Sequence, residues 1–242
     1  MDYLPHEKIL QSVTLRELAP YSWWIQAAAV KIGSNASTKI LLDVDKMCLI
    51  LEQKDFNRKE LNNKIRVFKA LGKTNYYTEN NKNYCSIKDL DNREQEQRRQ
   101  VWDFINEIRA CIWLFHNQFY NVKLIQKNKN KTPDISAEKS GQNWFIEVKT
   151  LHNPRDEENR LLQRDVSIRD VDQDYISGLV SKVEYFIADA DLKFNDVVAT
   201  NRLLIIFTTY SISAILKNRN ISLNSCLCSI DNKGISVVEI CN

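Results

Sequence analysis

Apolar residues recur at helical spacing through much of the first seventy positions and again over 101–119 and 173–192. Between 121 and 150 they alternate with polar ones instead. Residues 39–51 place Ile40, Leu41, Val44, Met47, Cys48 and Leu51 on one face of a predicted helix. Residues 60–71 do the same with Leu61, Ile65, Phe68 and Leu71, and Gly72 is a stop signal. The stretch 15–30, with Leu18, Trp23, Trp24, Ile25 and three alanines, completes a mainly helical N-terminal subdomain over 1–92. Trp23 and Trp24 suit core packing, with base stacking as the alternative. The Asn- and Lys-rich stretch 75–92, carrying Tyr76, Tyr77 and Tyr84, reads as a hairpin or loop.

From residue 93 onward the order of patterns is that of an α/β domain. A helix is predicted over 101–119, then a first strand over 121–127 with Val122 and Leu124 against Lys123 and Gln126. Two strands follow on either side of Ser140-Gly141, and 151–172 is a polar, highly charged loop or short helix. A second helix over 173–192 carries Ile176, Leu179, Val180, Val183, Phe186, Ile187 and Ala190, a core stripe. The apolar run Leu203–Phe207 within 202–210 suits a central buried strand. Residues 220–230 and 234–240 are two further strand-like segments.

The chemistry concentrates at the hairpin. With Ser140-Gly141 as a two-residue loop, Lys139 faces Gln142, and counting outward sets Asp134 opposite Glu147. Directly opposed side chains stand roughly 4.5–5.5 Å apart at Cβ, where like charges repel. Such a pair is a poor stability device and a good cation site, since Mg²⁺ takes one or two carboxylates and keeps waters elsewhere. Side chains on a strand alternate faces, so Lys149 shares a face with Glu147. Trp144, Ile146 and Val148 point the other way, toward a core.

Thr132-Pro133-Asp134 followed by Glu147-Val148-Lys149 resembles the signature of the PD-(D/E)xK nuclease superfamily. The resemblance covers roughly residues 100–210, including the helix before the strands and the helix and strand after them. It implies a restriction-endonuclease-like αβββαβ core, with a mixed central sheet flanked by helices, over 93–242. It also implies a Mg²⁺- or Mn²⁺-dependent endonuclease hydrolysing DNA in a restriction, defence, repair or mobile-element setting. Asp134, Glu147 and the Val148 carbonyl would hold the metal, and Lys149 would orient water or neutralise charge. A homodimer or larger complex is expected where both strands are cut. An RNA endonuclease of the same fold, or a catalytically inactive nucleic-acid- or protein-binding module, are the alternatives.

Other residues join by position. Glu107 falls within an apolar stripe with Ala110, Cys111 and Leu114, and a buried carboxylate needs a partner. It would complete the acidic cluster, pair with Arg109 or Arg99, or sit at the stripe's edge. His116, about 180° around the helix, does not share a site with it. Lys127, Lys129 and Lys131 form a basic turn able to hold phosphates, or simply a solvated loop, and Arg155, next to Asp156, Glu157 and Glu158, is a candidate for a further substrate contact. His152 suits a structural role better than proton donation, and a solvated face of the second helix accounts for Lys182 and Gln173 better than an approach to the site.

Composition sets limits. In 242 residues with a net charge of +3, acids and bases nearly balance, so nucleic-acid contact must come from local patches. Six cysteines without a C-x-x-C pair indicate neither a zinc knuckle nor a disulfide framework; Cys226 and Cys228 suit packing. No basic-then-apolar leader and no long apolar run is present, so a cytoplasmic protein without a membrane span is expected.

Overall fold

The computed structural model describes residues 9–30, 36–71, 92–126, 131–152, 173–197, 199–208 and 234–241. Residues 75–91 of the expected loop, 153–172 of the expected charged stretch, the strand over 220–230, the stop at Gly72 and the Cys226/Cys228 pair lie outside them, and Asn92 opens a helix. The chain divides into two compact units, residues 1–117 and 118–242.

The first unit is helical: α1 Val13–Leu18, a 3-10 turn Ala19–Tyr21, α2 Trp23–Val30, α3 Ala36–Glu52, α4 Asp55–Leu71 and α5 Asn92–His116. The 15–30 stretch is thus two helices. Pro20, at the start of the 3-10 turn, has no N–H for a continuing helix, and Ser22 is extended before α2 begins. Helix α5 starts well before its apolar stripe, because Glu, Gln and Arg at 93–99 are good helix formers without being core residues. Trp24 is buried against Trp102 with ring centroids 4.7 Å apart, which makes it a core residue.

At six residues α1 is too short to hold itself, and its first turn is held by side chains of α3. Asp45 accepts hydrogen bonds from the Gln11 and Ser12 N–H groups, each 2.9 Å, and from Ser12 Oγ at 2.5 Å. Glu52, two turns along α3, accepts from the Thr14 N–H at 2.7 Å and from Thr14 Oγ1 at 2.6 Å. Ser12 Oγ in turn accepts from the Leu15 N–H. Two carboxylates thereby satisfy the N–H groups that a helix start leaves open, at the end where negative charge is favoured.

The second unit is mixed α/β: β1 Tyr120–Leu124, β2 Ile135–Lys139, β3 Gln142–Leu151, α6 Gln173–Asp196, β4 Asn201–Thr208 and β5 Ser236–Cys241. They form one five-stranded sheet in the order β1-β2-β3-β4-β5. The first three strands run antiparallel, and β3-β4 and β4-β5 pair in parallel, so the sheet is mixed. Helix α6 lies on the sheet face that carries Phe145, Leu151, Leu204 and Ile206. Its Leu179, Val183, Phe186, Ile187, Ala190 and Phe194 pack into a common core there. On the alternate face Ile146, Leu203, Ile205 and Phe207 are buried as well. Burial on both faces accounts for the continuous apolar run of β4. No helix of the described residues is long and apolar enough to cross a membrane.

Replacing Asp45 by alanine leaves two backbone N–H groups and a hydroxyl without their acceptor in a buried place. The expected loss of stability is about 2–3 kcal/mol, read as a lower urea midpoint. A change below about 0.5 kcal/mol, the range of ordinary surface substitutions, would show that Asp45 is not what holds α1.

Candidate active site

The site begins with a turn. Ser140 and Gly141 both take positive φ, 52° and 75°, as a two-residue hairpin loop of the tight twisted kind requires. Pairing then runs Lys139↔Gln142, Glu138↔Asn143, Ala137↔Trp144, Ser136↔Phe145 and Ile135↔Ile146. This is the register expected from the sequence, and its next step is Asp134 with Glu147. At that step the ladder changes character. Pro133 has no N–H to contribute, and the Val148 N–H is taken by Asp134 Oδ2 at 3.0 Å. The Asp134 N–H donates to the Ile146 carbonyl at 3.1 Å, and its own carbonyl accepts from the Ile125 N–H at 2.9 Å. Asp134 is therefore locked between β1 and β3 by its main chain, and its carboxylate is tied to the backbone between Glu147 and Lys149.

Glu147 points to the α6 face and is 1% exposed. Its Oε1 receives Lys149 Nζ at 2.9 Å and also Lys193 Nζ from α6. Its Oε2 is buried without a hydrogen-bond partner. Burial, and after it the charge of Asp134, push the carboxyl up to about 7 against the pull of Lys149 and Lys193. Lys149 Nζ makes a second bond, 2.7 Å to Asp189 Oδ2. Burial disfavours its charge, but Glu147 and Asp189 outweigh burial and hold the ammonium pKa above its usual value. Burial likewise works against the Asp189 carboxylate, and Lys149, with Lys193 and Lys131 behind it, keeps its pKa low. Lys131 Nζ reaches Asp189 Oδ1 at 3.4 Å, and Lys193 Nζ stands 3.7 Å from Asp189 Oδ2.

Asp134, Glu147, Val148, Lys149 and Lys131 thus come together on the second unit. Glu107 belongs to the first unit, where it is buried and bonded to Lys64 of α4 at 2.7 Å, a partner not anticipated from the sequence. Lys127, Lys129, Arg155 and the Gln173 side chain lie outside the described residues. Lys182 donates to the His152 carbonyl at 3.2 Å, at the end of β3, and His116 is exposed. The residues that sequence reasoning missed are Asp189 and Lys193. Their signal was present: Lys182, Phe186, Asp189 and Lys193 follow one another at steps of four, three and four along a single helical stripe. Ending the helix at 192 cut off its last member, whereas α6 continues to Asp196.

Two neighbouring carboxylates, one with a buried oxygen lacking a hydrogen-bond partner, fit a hard cation that completes its shell with water. Among the described residues no group of three or more His, Cys, Asp or Glu side chains is placed to hold a metal. The donor set is the sparse one that Mg²⁺ accepts. No family model, no curated protein and no solved structure matches the chain.

A carboxyl held up at about 7 in the fold, against an ordinary value near 4.5, binds more protons folded than unfolded between those values. Stability contributed by this group is therefore expected to fall as pH rises from about 4.5 to about 7, and Glu147→Gln to remove that part of the slope. Urea midpoints of both proteins across this range provide the check. Parallel curves would mean that Glu147 does not carry the extra proton.

Proposed function

We propose that the chain is a metal-dependent endonuclease of the restriction-endonuclease-like fold that hydrolyses phosphodiester bonds in DNA. The observation that carries this reading is the buried Glu147 carboxylate, set beside Asp134 with one oxygen unpartnered and with Lys149 on the same strand face. The element order, a helix, three antiparallel strands, a helix and a parallel strand, supports it, as does the Pro133-Asp134 and Glu147-Val148-Lys149 spacing. Bound Mg²⁺ or Mn²⁺ would neutralise phosphate charge and lower the pKa of a coordinated water.

The chain's own residues have separate tasks. Asp134 and Glu147 hold the cation, and the Val148 N–H fixes the rotamer of Asp134. Lys149 stays an ammonium between Glu147 and Asp189, so its task is to offset charge growing on the phosphate oxygens and not to take a proton. Lys131, more than half exposed, extends the positive rim toward a phosphate backbone. In the reaction the water oxygen bonds to phosphorus and one bridging P–O bond breaks. One proton ends on the leaving oxygen and the other goes to solvent.

One observation favours a second reading, an inactive module of the same shape. Lys149 and Lys193 together already neutralise Glu147 without a cation. Incubation with supercoiled plasmid, single-stranded DNA and RNA in Mg²⁺ or Mn²⁺ separates the readings. Plasmid cutting is expected. Asp134→Ala and Glu147→Ala should abolish it, and Lys149→Ala should reduce it by about 10²-fold or more, with far-UV circular dichroism unchanged. Undiminished turnover by Asp134→Ala would refute the assignment. Cleavage of RNA alone would move the substrate, and no cleavage of any of the three would leave the binding module.

A further inference from the structure

Three ammonium groups share the carboxylates of this site. Lys149 and Lys193 meet at Glu147 Oε1, and Lys149, Lys193 and Lys131 all lie within ion-pairing reach of Asp189. With Asp134 the six side chains carry no net formal charge, three acids against three bases. The two lysines on Glu147 are not equivalent. Lys149 extends from the same strand and is anchored at its other side by a 2.7 Å bond to Asp189. Lys193 comes from the last turn of α6, makes its close contact to Glu147, and stands 3.7 Å from Asp189.

We infer that Lys193 is a built-in counter-ion that neutralises Glu147 next to the cation's place and withdraws when a divalent ion binds. The inference rests on the cation-binding reading above and deepens it. Two facts of geometry argue for it. Glu147 is 1% exposed and its Oε2 has no partner, so one ammonium pair at Oε1 does not finish its coordination. Asp189 Oδ2 already stands close enough to take Lys193 after a small rotation of a flexible side chain. A divalent ion at Glu147 with Lys193 still in contact would bring a double and a single positive charge within a few ångströms, where repulsion is strong in a half-buried place. The lysine must then move, and the work of moving it is subtracted from the cation's affinity. Lys193 thus sets how much divalent ion is needed to load the site.

The test is calorimetric titration of the full chain with Mn²⁺ alone, no nucleic acid present. Lys193→Gln is expected to bind Mn²⁺ about tenfold or more tightly than the wild type, because the competing charge is gone. Lys193→Arg, which keeps the charge, should stay within about threefold of the wild type. Lys193→Met keeps the length of the stem without the charge and should behave as the glutamine does, which covers a glutamine variant that folds poorly. Binding by Lys193→Gln with a silent wild type would be the strongest support. Equal or weaker binding by both neutral variants, with the wild type binding, would overturn the counter-ion role and leave the cation site standing. No binding by the wild type or by either neutral variant, with normal melting curves, would overturn both.

Discussion

A carboxylate that is almost wholly buried next to another carboxylate is the constraint around which the second unit is arranged. Glu147 cannot be moved to relieve it, because its place is set by the turn at Ser140-Gly141. A slip of one residue in that hairpin would turn every side chain of β3 over, sending Glu147 and Lys149 to the Ile146 face and Ile146 under α6. Positive φ at both loop residues, glycine at the second, and the apolar residues on both faces of β3 all oppose the slip. A local conformational preference thus fixes the position of charges six and eight residues away along the strands.

The charge so placed has to be compensated, and the compensation comes from α6. Helix and sheet meet through Leu179, Val183, Phe186, Ala190 and Phe194, which set the distance between them. Asp189 and Lys193 ride on the edge of that stripe, so the packing that buries Glu147 also supplies its partners. Buried ion pairs rarely add much to stability, because desolvation offsets most of the attraction. A hydrophobic residue at 147 would have filled the same space without needing Lys149, Lys193 or Asp189. Four charged side chains at one spot of an otherwise apolar interface are difficult to account for by folding alone. That imbalance is the physical ground for looking to chemistry.

The hairpin was readable in the sequence because everything that defines it is local. Two turn residues and a period of two suffice to set the pairing as far as Ile135 with Ile146, one step short of Asp134 and Glu147. What escaped reading lies far apart in the chain. Lys193 is 46 residues from Glu147, and Lys64 is 43 from Glu107, whose nearby arginines were the natural partners to consider. Asp45 and Glu52 are more than thirty residues from the helix start they hold, and although both border the apolar stripe of α3 beside Leu41 and Cys48, nothing in that pattern says which segment they meet. Helix ends misled for a related reason. Apolar periodicity marks the packed part of a helix, while α5 begins with polar residues that favour helix and α6 runs one further turn, carrying Lys193 and the buried Phe194.

The contacts of the acids in the two units also differ in meaning. Asp45 and Glu52 accept from backbone N–H groups and hydroxyls that a helix start leaves open, and each bond has an evident structural purpose. Glu107 is buried but has an ammonium at 2.7 Å. Glu147 has two ammoniums on one oxygen and nothing on the other, with Asp134 raising its proton affinity from the side. Glu60 of the first unit also has a buried oxygen without a hydrogen-bond partner, so what marks Glu147 is the crowding of two ammoniums onto its other oxygen. The acids that hold the start of α1 spread their partners over both oxygens, whereas the partners of Glu147 converge on one and leave the other open to a further ligand.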